Sequence, residues 1–344
     1  MLNSILDTVN ALLPGKRKIN SVSGWTSFNA VCCPHRGESP DSRGRGGIIT
    51  NPNGAISYSC FNCNYTANYT PGRHLNYKFR KLLSWLGADE NTIKRLVIDA
   101  IRIKELVEPE AVEVVREDIV FKPRPLPEQA QTLQALHVFY ELANNNTTVP
   151  REFHDAVIYS AHRNINLVKY DCYWTPEQAY NLHKRLIIPF TWRNEIIGYT
   201  ARAISDDVKP KYYSQYEPNY VYNVDRQLPT SRFVIVVEGP LDAMAIDGVA
   251  ILSNECSETQ ADIIDGLARE VIVVPDRDRA GIKLIDDALE YGWHVSFPIW
   301  QETCKDVSEA VERYGRLFVL KSIVDARETS RLKIELKKKR LQNA

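Results

Sequence analysis

Two short pairs of metal-ligand residues constrain this chain most. Cys32-Cys33-Pro34-His35 is followed after twenty-four residues by Cys60-Phe61-Asn62-Cys63. Zinc takes four tetrahedral nitrogen or sulfur ligands, and two ligands separated by two residues can reach one ion from a single tight turn. Cys32 and His35 have that spacing, as do Cys60 and Cys63; Cys33 leaves only one intervening residue before His35 and is the weaker ligand. One structural zinc held by Cys32, His35, Cys60 and Cys63 is therefore expected. The intervening segment is rich in turn formers and poor in aliphatic residues, so metal binding would supply the folding energy that so small a module lacks. Short strands are expected at Gly47–Thr50 and Ala55–Cys60.

Seven cysteines in a chain with no apolar run near the ~20 residues of a membrane span read as thiols or metal ligands, which places the protein in a reducing, cytoplasmic setting away from membranes. The basic cluster Lys16–Lys18 follows the first apolar stretch, the reverse of a secretory signal. The 344 residues carry zero net charge, but unevenly. Residues 1–81 hold ten Lys/Arg against three Asp/Glu, residues 231–310 hold six against sixteen, and the last 24 hold eight against three. A basic segment can follow a phosphate backbone, whereas concentrated carboxylates repel one unless divalent cations lie between. In the basic head, Trp25, Phe28, Tyr58, Phe61, Tyr65 and Tyr69 are interleaved with Arg36, Arg43, Arg45 and Arg73. That combination suits an unpaired strand whose bases stack on rings, and equally a small aromatic core.

The rest of the chain divides by pattern. Tyr77–Ile103 has helical spacing, and 104–129 reads as a linker, with six acids and two bases in 104–118 and then three prolines. Gln129–Leu142 reads as a helix. Short strands and turns run from Arg185 to about Arg226. Beyond them Phe233–Val237, Val249–Leu252, Val271–Val274 and Val295–Ile299 alternate with helical stretches, the pattern of a parallel α/β sheet. A helical pattern through Asp306–Leu341 closes the chain.

Acids sit where two of these strands end. Val234–Val237 leads into Glu238-Gly239-Pro240-Leu241-Asp242, and Val271–Val274 into Pro275-Asp276-Arg277-Asp278. Sites in open α/β sheets gather at the carboxyl ends of strands, so the two groups can form one cluster. Carboxylates so close repel unless Mg²⁺ or Mn²⁺ holds them, and ions so held can polarise a phosphoryl oxygen and activate a 3′-hydroxyl. Asp306 is either a further ligand or a helix cap.

At these residues the sequence resembles a Toprim domain, a strand–Glu–Gly turn followed by Asp-x-Asp. More narrowly it resembles the DnaG-like, bacterial-type DNA primases, and in length and domain set those of T-even-like bacteriophages. The narrower likeness rests on the Cys/His ribbon ahead of Arg185-Leu186-Ile187-Ile188-Pro189-Phe190, Gly198–Arg202, Pro210-Lys211-Tyr212 and Val221–Asp225, and on Asp276–Gly281. The fold class it implies is an α/β, α+β multidomain chain: a zinc-ribbon template-binding domain (1–75), a helix and flexible linker (76–129), an N-terminal subdomain of an RNA polymerase core (130–230), a Toprim subdomain (231–305) and a helical C-terminal segment (306–344).

The resemblance implies synthesis of short RNA primers on single-stranded DNA from ribonucleoside triphosphates. Glu238 would be the catalytic carboxylate and, with Asp242, Asp276, Asp278 and more loosely Asp306, would hold two or more Mg²⁺ or Mn²⁺ ions. Arg185, Arg202 and Lys211 match positions that contact nucleotide or template. The segment between Tyr212 and Tyr222 is shorter than in the bacterial enzymes and lacks their second lysine, for which Lys209 is a candidate substitute. With no Gly-x4-Gly-Lys-Ser/Thr loop in the chain, a separate replicative helicase is the expected partner, with a single-strand-binding protein as a further candidate; for a phage protein the setting is the host cytoplasm. The basic tail Lys333–Arg340 docks there or is a solvated helix end. A Toprim nuclease or topoisomerase and a non-catalytic single-strand-binding loader remain alternatives.

Overall fold

The computed structural model describes residues 4–21, 23–73, 75–106, 119–134, 150–176, 181–267, 269–278, 281–301 and 304–342. The chain forms two compact units, Met1–Arg116 and Glu117–Ala344, mixed α+β in character.

The N-terminal unit is built on a five-stranded antiparallel sheet in sequential order: β1 (Arg17–Ile19), β2 (Thr26–Phe28), β3 (Gly46–Thr50), β4 (Ile56–Cys60) and β5 (Thr66–Tyr69). Strand β4 alternates buried and half-buried residues, so Ile56, Tyr58 and Cys60 face inward. Gly46 pairs with Phe28 and Cys60 across the sheet, and a Cβ there would meet the Ala30 Cα at 2.8 Å, so only glycine lets the chain ahead of the first cysteines lie against β3.

The helical stretch expected at Tyr77–Ile103 is two helices, α2 (Tyr77–Trp85) and α3 (Glu90–Leu106), parted at Gly87 with φ 102°. Asn76 caps α2 by accepting from the Phe79 N–H. Both helices, with α1 (Ser4–Leu12), bury Ile5, Val9, Phe79, Leu82, Leu83, Leu96 and Ala100 in one core with the strand residues. The sheet is too small to bury its apolar face alone, so the head extends past residue 75 and takes these helices in.

The C-terminal unit contains two sheets. The first is antiparallel, in the order β10-β9-β8-β7-β6, with β6 (Gln131–Thr132), β7 (Tyr173–Trp174), β8 (Arg185–Trp192), β9 (Glu195–Ala203) and β10 (Tyr212–Gln215). Its long β8–β9 hairpin turns at Arg193–Asn194, both with positive φ, the twist that two-residue hairpins favour. Helix α4 (Arg151–His162) precedes β7. Gln131–Thr132 is strand where a helix was expected, because it pairs with Tyr173–Trp174; residues 135–142 of that expected helix lie outside the described residues. The supposed linker is likewise anchored at its end. Phe121 is buried edge-on against Trp192 and Tyr220, with centroids 5.1 and 5.6 Å away, while 107–118 lie outside the described residues.

The second sheet runs β12-β11-β13-β14-β15: β11 (Phe233–Val237), β12 (Val249–Ala250), β13 (Glu270–Val273) and β14 (His294–Ser296) are parallel, and β15 (Arg327–Glu328) is an antiparallel edge. Helices α5 (Pro240–Ile246), α6 (Glu258–Asp265) and α7 (Gly281–Tyr291) connect the parallel strands. The expected C-terminal helical run is α8 (Val307–Tyr314), α9 (Arg316–Asp325) and α10 (Arg331–Gln342), with β15 interrupting it. From β11 the chain passes first to β12 on one side and then to β13 on the other, so a crevice opens at the carboxyl ends of β11 and β13. Among the described residues no helix is long and apolar enough to cross a membrane.

Candidate functional site

In the head, the sheet brings the turn after β2 beside the turn between β4 and β5. The Sγ atoms of Cys32, Cys33, Cys60 and Cys63 lie within 4.8 Å of one another. Cys32 to Cys63 is 3.3 Å and Cys33 to Cys60 is 3.6 Å, near the ~3.8 Å that Zn–S bonds of about 2.3 Å set along a tetrahedral edge. The Asn62 N–H and side-chain amide donate to the sulfurs of Cys60 and Cys33, both at 3.4 Å, and the Tyr58 hydroxyl lies 3.2 Å from Cys32. Such partners orient metal-bound thiolates. Burial pushes the Cys32 and Cys33 thiols up, so their thiolates need a cation beside them. The donor set fits zinc.

The expected ligand His35 is not in this group; Cys33 stands in its place. Cys33 opens a single 3₁₀ turn, Cys33–Arg36, and points inward, whereas the His35 ring stacks on Trp85 of α2 at 4.9 Å and 5°. The head's aromatics also divide. Phe28, Tyr58, Tyr65 and Tyr69 are buried core residues, and Phe61, between the two cysteines of the second turn, is 81% exposed.

The carboxylates gather in the C-terminal unit. Val236 of β11 pairs with Val273 of β13, so the two strand ends are adjacent, and the Asp276 N–H donates to the Glu238 Oε1 at 3.2 Å. Pro240 starts α5, which places Asp242 in its first turn. Asp242 is 7% exposed and accepts from the Ser308 N–H at 2.8 Å. A Cβ on Gly239 would sit 2.8 Å from the Asp242 Oδ2, so the turn must be bare for that carboxylate to fold over it. Asp306 caps α8 by accepting from the Glu309 N–H at 2.8 Å and also lines the pocket described below.

The electrostatics record the crowding. Burial, then the charges of Asp242, Glu238, Asp306 and Asp278, push the Asp276 carboxyl up to about 8. Burial and Asp306 push Asp242 up to about 7. Burial also raises Glu238, against the Asp276 N–H that it accepts. Partly desolvated carboxylates in this arrangement are donors that suit a hard divalent cation. Among the described residues no three carboxylates approach as tightly as the cysteines do.

Glu238, Asp242, Asp276 and Asp306 line one side of a pocket of about 390 Å³. The antiparallel sheet supplies the other side: Phe190, Thr200, Arg202, Lys211 and Tyr212. Arg202 donates to the Tyr159 hydroxyl at 3.1 Å and lies 4.6 Å from the centre of the Tyr212 ring. Burial and the neighbouring Arg202 lower Lys211 below an ordinary lysine. A third cation, Arg163, closes α4 and was not singled out from the sequence; its only signal was the i, i+4 pairing with Tyr159, on whose ring it lies at 5.8 Å.

Three expected site residues are placed elsewhere. Arg185 is 0% exposed, and its guanidinium donates to the carbonyls of Ala201 at 3.0 Å and Pro210 at 2.8 Å, which makes it a brace inside the sheet. Lys209 is exposed and outside the pocket lining. Asp278 is exposed and outside the pocket lining, and its Oδ1 accepts from the Gly281 N–H at 3.1 Å at the start of α7.

No family model matches this chain. A curated DNA primase from Aquifex aeolicus (strain VF5) is 25% identical over 153 residues, which cover 39% of this chain and 30% of that relative, so the match spans under a third of the relative's length. Among solved structures, the Aquifex aeolicus primase with its zinc-binding and RNA polymerase domains is similar at a TM-score of 0.45 and 17% identity, over 98% of this chain and 88% of that one. The RNA polymerase domain of Mycobacterium tuberculosis primase DnaG gives a TM-score of 0.44 and 19% identity over 57% and 82%. The primase fragment of the bacteriophage T7 primase-helicase gives 0.35 and 13% over 83% and 95%.

Proposed function

We propose that this chain is a DNA primase, a template-directed RNA polymerase that joins ribonucleoside triphosphates into short primers on single-stranded DNA. The observation that carries the reading is the pocket in which Glu238, Asp242, Asp276 and Asp306 face Arg163, Arg202 and Lys211. A triphosphate needs both halves of such a pocket: cationic side chains for its oxygens, and carboxylates to hold the cations that travel with it. The curated relative from Aquifex aeolicus, a DNA primase, supports the same reading.

In this reading Asp242, Asp276, Asp306 and the neighbouring Asp278 would hold Mg²⁺ or Mn²⁺. Such ions would supply Lewis-acid polarisation of the α-phosphate and a lowered pKa for the primer's 3′-hydroxyl. Glu238, raised by burial, is placed to take the proton from that hydroxyl. Arg163, Arg202 and Lys211 balance the charge of the departing pyrophosphate. The head, with its zinc on Cys32, Cys33, Cys60 and Cys63, holds the single-stranded template through exposed Arg36 and Arg43 and the ring of Phe61.

Glu238→Gln tests the assignment. With single-stranded DNA, labelled ribonucleotides and Mg²⁺, the wild-type chain makes template-dependent oligoribonucleotides. The variant loses at least about a thousandfold in rate, as removal of a proton-transfer group within a metal site demands, with zinc content unchanged. Strand cleavage in place of synthesis would give the site to a nuclease or topoisomerase, and template binding with no chemistry would make the chain a loader.

A further inference from the structure

Two strand ends fix Glu238, Asp242 and Asp276, but Asp306 belongs to neither strand. It follows a stretch without regular structure, described at 298–301 and 304–306. One side chain ties that stretch to the acid-bearing end of β13. Arg277 lies between Asp276 and Asp278, and its backbone N–H donates to the Lys305 carbonyl at 3.0 Å. Its Nη1 donates to the carbonyls of Trp300 at 3.2 Å and Gln301 at 3.3 Å, and its Nη2 to that of Pro298. The guanidinium also lies 5.3 Å from the centre of the Trp300 ring.

The clamped stretch is held from its other side as well. The Trp300 indole N–H donates to Ser322 at 2.9 Å, and the Gln301 N–H donates to the Tyr314 hydroxyl at 3.2 Å. The Lys305 N–H donates to Glu309 at 2.9 Å, in the helix that Asp306 caps. Pro298, Trp300, Gln301 and Lys305 are thus held between Arg277 and helices α8 and α9. A planar fork of donors reaching three carbonyls in sequence fixes direction as well as distance, which a single ammonium cannot do.

We infer that Arg277 is a positioning residue for the divalent-cation site: by clamping Pro298, Trp300, Gln301 and Lys305 it holds Asp306 against Asp242 and Asp276 before any cation binds. Adjacent carboxylates repel, so without the clamp the segment carrying Asp306 swings outward and the cation must draw it back at the expense of affinity. The inference rests on the proposed polymerase reading, since it supposes that these acids hold the cation.

The test uses the full chain as wild type, Arg277→Ala and Arg277→Lys. Mn²⁺ binding is followed by electron paramagnetic resonance without nucleotide, and hydrogen exchange across 298–306 is measured in magnesium-free buffer. Loss of an outer-shell partner of metal ligands costs about 10–100-fold in affinity. Arg277→Ala should weaken Mn²⁺ binding about tenfold, quicken exchange at Gln301 and Lys305, and raise the Mg²⁺ needed for half-maximal synthesis, with little change in the ribonucleotide KM at saturating Mg²⁺. Arg277→Lys recovers part of the loss. Wild-type exchange at 298–306 in Arg277→Ala overturns the clamp whatever the metal result. Faster exchange with unchanged Mn²⁺ affinity overturns its link to the cation. A wild-type chain whose Mn²⁺ binding is untouched by Asp276→Asn overturns the polymerase reading and this inference together.

Discussion

Replacing Asp276 with asparagine should stabilise the folded chain at alkaline pH while abolishing synthesis. Asp276 is pushed from 3.8 up to about 8, first by burial and then by Asp242, Glu238, Asp306 and Asp278. The folded carboxyl therefore holds its proton where the unfolded chain has released it. Stability falls as pH rises through the window from about 4 to about 8, and above it the whole penalty is present. At about 1.4 kcal/mol per pH unit the ceiling is about 6 kcal/mol. Side-chain relaxation and entering water reduce it, and about 2 kcal/mol is the expected gain of Asp276→Asn over wild type at pH 8.5. Asparagine does not titrate, so the gap should close near pH 4. It should also narrow in Mg²⁺, which binds only the wild-type acid set: at ten times a dissociation constant, binding adds about 1.4 kcal/mol. The assay is urea unfolding of the C-terminal unit, followed by hydrogen exchange at Val234–Val237 and Val271–Val273, without chelator so that zinc stays in the head. An Asp276→Asn chain no more stable than wild type at pH 8.5, or a gap independent of pH, would refute the reasoning.

Arg185→Ala should act on stability rather than on nucleotide affinity. It strands the buried carbonyl of Ala201 and the part-buried one of Pro210 and costs about 3 kcal/mol, read as a lower urea midpoint with the ribonucleotide KM of the surviving folded protein within about twofold of wild type. Cys33→Ser should release zinc while His35→Ala retains it, measured by metal analysis after gel filtration. His35→Ala loses the Trp85 stack, worth about 1 kcal/mol of head stability, and retention of zinc by Cys33→Ser with its loss from His35→Ala would return the fourth ligand position to His35.

Much of the acid site was legible in one dimension because its logic is local. An apolar run, a carboxylate and a bare glycine turn suffice to put Glu238 and Asp242 at a strand end. A second run ending in Asp-x-Asp needs only the parallel sheet to become its neighbour. The two cysteine turns were legible for the same reason, since short-range spacing dictates what one ion can reach. Spacing favoured His35 over Cys33, however, because it does not know about α2: Trp85, fifty residues away, takes the His35 ring, while Cys33 turns into the core.

The cationic side of the pocket was harder to read, because a cation's role depends on where its side chain ends. Arg185 and Arg202 are neighbours across one hairpin and look alike in sequence. Leu186 pairs with Arg202 and Arg185 with Ala203, so the two side chains leave the sheet on opposite faces, one into the interior and one into the pocket. Arg163 reaches the pocket because α4 ends there, which its one local signal, Tyr159 four residues earlier, does not reveal.

The sequence alone determined the chemistry available to this protein: sulfur ligands in two tight turns, carboxylates at two strand ends and a basic head before an acidic sheet. Residue type and short spacing are local properties, and local geometry follows from them. Only the tertiary structure decided which cysteine joined the metal set, which arginine faced the acids and how Asp306 was brought to them. Those outcomes depend on side chains from distant segments competing for the same space, and burial settles that competition only after the chain has folded.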